Sequence, residues 1–187
     1  HSNVCPPETT SPIAGKANLG VLDPEQVNIV VHGHEPLLSE MVVIAAQDRE
    51  LIELAKSKGA KGINISGICC TANEVLMRHG IPLAGNVLQQ ELAIVSGVVE
   101  AMVVDVQCLM QSLPSVAKCF HTEVITTSPK AKIPGATHIE FNEHDALNSA
   151  RKVVRRAVER FPLREGSEHI EVPQAEMDLV AGFSHET

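Results

Sequence analysis

The residues of this sequence best suited to chemistry are imidazoles and thiols, and three of them stand at matching places. HGH (32–34) follows the apolar run VNIVV, ICC (68–70) follows INISG, and VQC (106–108) follows EAMVVD. Each triplet ends a run that reads as a strand and precedes a run that reads as a helix. In open α/β sheets, ligands bind outside the carboxyl ends of the strands. His34, Cys70 and Cys108 are therefore candidate ligands of one site, although they lie far apart in the chain. Thiolate and imidazole donors suit zinc, copper, nickel or iron–sulfur clusters.

Each residue also has a plainer reading. Free Cys is among the most buried residue types and often serves as a small hydrophobe, and a His at a strand end commonly satisfies backbone groups. The coincidence at three strand ends is what favours a site. His32 is expected to pack or hydrogen-bond nearby, with Cys69 beside Cys70 as a neighbour. His79 reads as a cation at a helix C-terminus, and Cys5 and Cys119 as plain thiols. His121, His138, His144, His169 and His185 read as loop or surface residues. His32 and His34 together could also begin a zinc hydrolase site, but no matching set of His and Asp follows on later strands. No GxGxxG follows the first strand, and neither GxxxxGK[ST] nor GxSxG occurs.

The elements that must position these residues alternate. Strands are expected at VNIVVHG, KGINISGI, IPLAGN, EAMVVDVQ, HTEVITTS and ATHIEF. One helix is expected from Pro36 to Gly59, with Leu37, Leu38, Met41, Val42, Ile44 and Ala45 on its apolar face. Further helices are expected at TANEVLMRH, QQELAIVSG and LMQSLPSVAKCF. A last helix is capped by Asn142, with Ala146, Leu147, Ala150, Val153, Val154, Ala157, Val158 and Phe161 as its stripe. Arg155, Arg156 and Arg160 lie toward its end, where the helix dipole favours cations. Strands alternating with helices predict a doubly wound, mostly parallel, Rossmann-like sheet in a three-layer αβα arrangement. Residues 1–20, rich in Pro, Ser, Thr and Gly, read as an extended arm. Residues 21–161 form the α/β domain, and 162–187 a linker and the start of a further segment, as expected of a fragment.

At 187 residues the chain has room for one substantial core. It has no Trp or Tyr and four Phe, so that core must be aliphatic. A net charge of −8 without a basic stripe argues against nucleic acid. Its longest apolar stretch, LAIVSGVVEAMVV, is interrupted and too short to span a bilayer. Five irregularly spaced Cys make a poor disulfide framework, so free or metal-bound thiols in a reducing cytoplasm are expected.

VHGHEPLLSEM, GINISGICCTANEVLMRHGIP, QQELAIVSG, DVQC, ITTSPKAKIPGATHIEF and AGFS closely resemble segments of the nickel–iron–sulfur carbon monoxide dehydrogenases of anaerobes. The resemblance runs from about Ala17 to the C-terminus and covers the first Rossmann-like domain of a much longer enzyme. It implies reversible oxidation of CO with water to CO2, two protons and two electrons. It also implies an active-site cluster of nickel, iron and sulfide to which His34 and Cys70 give ligands for a pendant iron and Cys108 one for a cubane iron. The remaining cysteine ligands, and further 4Fe–4S clusters at a homodimer interface, would lie outside this chain. An electron-transfer protein such as a ferredoxin, and an acetyl-CoA synthase subunit, are the implied partners. Two other classes stay open on the residues alone. One is a stand-alone iron or soft-metal binding or sensor module without CO chemistry; the other is a structural α/β domain with inert buried thiols.

Overall fold

The computed structural model describes residues 13–164 and 170–181. Eight strands form one sheet: β1 (Ile13–Ala17), β2 (Val27–His32), β3 (Ile63–Ile68), β4 (Leu83–Gly85), β5 (Val99–Val104), β6 (Glu123–Thr126), β7 (Thr137–His138) and β8 (Met177–Ala181). The helices are α1 (Pro36–Ala46), α2 (Arg49–Ser57), α3 (Cys70–Glu74), α4 (Gln90–Val95), α5 (Leu113–Ala117) and α6 (Ala146–Arg160). The strand order is β7-β6-β5-β2-β3-β4-β1-β8, and every described pairing is parallel except β1 with β8. This is the doubly wound, three-layer architecture expected from the sequence.

Alternation along β2 explains the two cores. Val27, Ile29 and Val31 face one side, against α1, α2 and α6, where Leu38, Val42, Leu51, Val153, Val154 and Val158 are buried. Val30 faces the other side with Met102, Val104 and Ile68, against Ala93 and Ile94 of α4 and Leu113 and Ala117 of α5. A strand covered on both faces cannot afford an alternating pattern, which is why VNIVVH reads as a continuous apolar run.

The topology places the loops of the candidate residues. From β2 the chain builds outward through β3 and β4, whereas from β5 it builds the other way through β6 and β7. The order therefore reverses between β2 and β5, the switch point where α/β sheets open a crevice at their strand ends.

Several sequence expectations need correction. Within the expected arm Ile13–Ala17 is a sheet strand, and so is Met177–Ala181 in the expected linker; the exposed residues along them hide a pairing that spans the chain. The helix expected from Pro36 to Gly59 is two helices. Asp48 adopts an extended backbone and accepts a hydrogen bond from Glu50 N at 2.9 Å, capping α2 as a separate unit. On α1 the buried face is rotated by one residue to Leu38, Ser39, Val42, Val43, Ala45 and Ala46, leaving Leu37 and Ile44 exposed. On α6, Ser149 takes the place expected for Leu147, which is exposed. Asn142 caps a 3₁₀ turn that leads into α6, through His144 N at 3.0 Å. Of ATHIEF only Thr137–His138 is a strand, and of LMQSLPSVAKCF only Leu113–Ala117 is α-helical.

His121, expected at the surface, is buried. Its Nε2 lies 2.8 Å from Glu100 Oε1, and Arg164 Nε lies 2.6 Å from the same oxygen. The Arg164 guanidinium also donates to the carbonyls of Pro24, Gln26 and Val98 and stacks on Phe161, 4.6 Å from the ring centroid. Arg156 and Arg160 are held by Glu123 and the His121 carbonyl as well as by the helix end. This charged network closes the end of the sheet opposite the loops that carry His34, Cys70 and Cys108. Cys5, His169 and His185 lie outside the described residues.

Candidate metal centre

Three loops meet at the switch point. The first, Gly33–Glu35, leaves β2; the second is the Cys69–Cys70 junction between β3 and α3; the third, Asp105–Cys108, leaves β5. They are tied to one another by hydrogen bonds. Thr71 N donates to Gly33 O at 3.0 Å, joining the second loop to the first. Ser39 Oγ of α1 and Thr71 Oγ1 form a short buried hydrogen bond across the same junction.

Asp105 joins the third loop to the first. Its buried carboxylate accepts His34 N at Oδ1 and Glu35 N at Oδ2, each at 2.8 Å, and it also accepts its neighbour Val106 N. Gly33 makes room for that carboxylate. Its φ is 139°, and a Cβ there would sit no more than 2.5 Å from either carboxylate oxygen.

The His34 ring is fixed by a carbonyl. Nδ1 lies 3.1 Å from Val106 O, and a carbonyl only accepts, so Nδ1 carries the proton. Nε2 of the neutral ring is then left with a lone pair, the form in which imidazole binds metals.

Cys108 is held from behind. Its carbonyl accepts His32 Nε2 at 2.9 Å and Gln90 Nε2 at 2.8 Å, both from fully buried side chains. Burial holds the His32 imidazole below its usual pKa, partly offset by the Cys108 carbonyl at its Nε2 and the Ile68 carbonyl near its Nδ1. Cys108 itself is exposed.

Cys69 and Cys70 are each partly buried. Burial pushes the Cys69 thiol up to about 11, with the neighbouring Cys108 and Cys70 adding to the effect; it hydrogen-bonds to the Cys108 thiol and packs against the α4–α5 side of the core. Backbone strain gathers here too. Of the four described non-glycine residues with positive φ, three are Cys69 (66°), Gln107 (63°) and Cys108 (53°). Left-handed backbone costs roughly 1–2 kcal/mol for such residues, and it accumulates where a site demands it.

The structure thus brings the loops of His34, Cys70 and Cys108 together and shows His32 hydrogen-bonding as expected. Among the described residues, no three His, Cys, Asp or Glu side chains are gathered closely enough to hold a metal ion. As a donor set, thiols and an imidazole with a free Nε2 fit a soft or borderline metal such as iron or nickel, as part of a larger ligand shell. Asp105 and Gln90 were not found from the sequence. The one available signal was an acidic residue closing the apolar run EAMVV, where a buried strand end has no other use for charge.

The sequence profile of the Prismane/CO dehydrogenase family matches residues 7–182. The chain belongs to this family. Carbon monoxide dehydrogenase 1 of Methanosarcina mazei is 56% identical over 178 residues, covering 95% of this chain and 28% of that protein. The carbon monoxide dehydrogenase/acetyl-CoA synthase subunit beta of Moorella thermoacetica is 54% identical over 179 residues, covering 95% of this chain and 26% of that protein. Among solved structures, the as-isolated, nickel-free carbon monoxide dehydrogenase of Thermococcus sp. AM4 superposes with a TM-score of 0.90 at 52% identity, over 95% of this chain and 28% of that one. The chain therefore spans between a quarter and a third of the length of these family members. None of its described helices is long and apolar enough to cross a membrane.

Proposed function

We propose that this chain is the first Rossmann-like domain of a nickel-dependent carbon monoxide dehydrogenase, and that His34, Cys70 and Cys108 are its contribution to the active-site cluster. In this reading His34 and Cys70 bind a pendant iron and Cys108 binds an iron of the cubane part. The observation that carries it is the meeting of their three loops, hydrogen-bonded to one another, at the sheet's switch point. Family membership supports it.

When bound, the nickel–iron–sulfur group supplies the chemistry of CO + H2O ⇌ CO2 + 2 H⁺ + 2 e⁻, binding carbon and activating water. The chain's own residues prepare the shell. His34 offers Nε2, and its Nδ1–H bond to Val106 O makes the ring a better donor. Cys108 offers an exposed thiol on a loop whose carbonyl is gripped by His32 and Gln90. Cys69, packed against the α4–α5 side of the core, sits beside Cys70 as its neighbour in this reading. The remaining ligands, further 4Fe–4S clusters, a homodimer partner, an acetyl-CoA synthase subunit and an electron carrier such as a ferredoxin belong to the whole enzyme, an anaerobic cytoplasmic protein.

The test is anaerobic reconstitution with ferrous iron, sulfide and nickel, followed by metal analysis. Bound iron should fall by more than half in both His34→Ala and Cys70→Ala. Unchanged iron in either variant, with its fold intact by circular dichroism, would overturn that ligand's assignment.

A further inference from the structure

We propose that Asp105 is a positioning residue that sets His34 for metal binding through Nε2 before any metal arrives. The proposal rests on the reading of His34 as a ligand and adds how that ligand is prepared.

A buried carboxylate at a strand end needs a reason, because removing its charge from water costs several kcal/mol unless it is compensated. No described ion pair involves Asp105. Its charge is met instead by backbone N–H groups of His34, Glu35 and Val106, a small nest of donors around one anion. Two of these donors belong to the His34 loop and the third to the residue whose carbonyl holds the His34 ring. Asp105 therefore fixes both ends of the arrangement: where the His34 backbone stands, and where the Val106 carbonyl stands relative to it. With both fixed, Nδ1–H is aimed at Val106 O and Nε2 is the nitrogen left open. The connection to β2 is short, since Asp105 N also donates to His32 O at 3.3 Å.

The competing explanation is that Asp105 merely steadies the start of α1, because Glu35 is the residue before Pro36. A capping role predicts lost stability on substitution but no change in which His34 nitrogen carries the proton. The two roles are therefore separable.

The experiment uses the full 187-residue chain, reduced and metal-free, with ¹⁵N label. Long-range ¹H–¹⁵N spectra report the His34 tautomer, and amide exchange reports the His34 and Glu35 N–H groups. Cobalt(II) alone is then titrated, followed by its thiolate charge-transfer band. In the unsubstituted chain His34 should be the Nδ1–H form with both amides protected. In Asp105→Asn the tautomer should become mixed, both amides should exchange at least tenfold faster, and cobalt affinity should fall roughly 10–100-fold, the usual effect of losing an outer-shell partner. An unchanged His34 tautomer in folded Asp105→Asn overturns the proposal. Should Asp105→Asn fail to fold, Asp105→Glu, which keeps the charge but displaces it by one methylene, takes its place with the same readouts: an unchanged His34 tautomer overturns the proposal and a mixed one supports it. Absence of any cobalt band in the unsubstituted chain counts against the metal-site reading instead, and the NMR result distinguishes that failure from this one.

Discussion

Gly33→Ala tests how the His34 loop is packed against Asp105 with the addition of a single methyl group. Two costs follow from the structure. Gly33 has φ 139°, which an L-residue adopts at roughly 1–3 kcal/mol. The new Cβ would also lie no more than 2.5 Å from either oxygen of Asp105, so the carboxylate must move. Losing even one N–H bond to that charged group costs about 1.5–3 kcal/mol. Together the expected loss is about 2.5–6 kcal/mol, a large part of the roughly 5–15 kcal/mol that stabilises a typical domain. In a chain of this size that corresponds to a melting temperature lower by on the order of 10 °C. Gly80→Ala is the matched control. Gly80 also has positive φ, 71°, but a Cβ there meets nothing within 4 Å, so only about 1–2 kcal/mol of backbone strain is expected. Denaturant unfolding of the three proteins in reducing buffer measures both differences. If Gly33→Ala loses no more than Gly80→Ala, the packing of Asp105 against Gly33 does not hold the loop and the reasoning fails.

Two further outcomes follow from buried charge and from thiol ionisation. Arg164→Met removes the cation facing fully buried Glu100 and should cost about 3–5 kcal/mol, with much of that regained in Arg164→Met/Glu100→Gln; a single-variant loss under 1 kcal/mol in urea unfolding contradicts the network's role. With its thiol near 11, against an ordinary 9.0, Cys69 is about one part in a thousand thiolate at pH 8. Iodoacetamide mapping by mass spectrometry should therefore show Cys69 alkylated at least tenfold more slowly than exposed Cys119, with the gap narrowing as the pH rises; equal rates at pH 8 would refute its burial.

What the sequence could reveal depended on how local the cause was. VNIVVH and EAMVV were legible as strands because burial on both faces is written into consecutive residues. The strand-end rule singled out the loops that carry His34, Cys70 and Cys108, and those loops meet in the fold. Leu37 and Ile44 on α1 and Leu147 on α6 turn out exposed although they match a helical period as well as their buried neighbours do, because only the packing against the sheet chooses between them, while Ala150, Val153, Val154, Ala157 and Val158 of α6 are buried as expected. Ile13–Ala17 and Met177–Ala181 carry no strand signal of their own because they pair with each other from opposite ends of the chain, and Ile13–Ala17 is further held by β4 through Ala17. His121 was misplaced for the same reason, since its burial is set by Glu100 and Arg164. Asp105, Gln90 and Gly33 carry no motif of their own. Their part in the site is a matter of which backbone groups the fold sets in front of them, as in the two grips on the Cys108 carbonyl.

The most direct test of the central claim is the iron X-ray absorption spectrum of the anaerobically reconstituted chain, compared with that of His34→Ala and Cys108→Ala. The account predicts a shell of sulfur with imidazole nitrogen, the nitrogen contribution lost in the first variant and sulfur reduced in the second. An all-oxygen shell, or a spectrum that neither substitution alters, would contradict it.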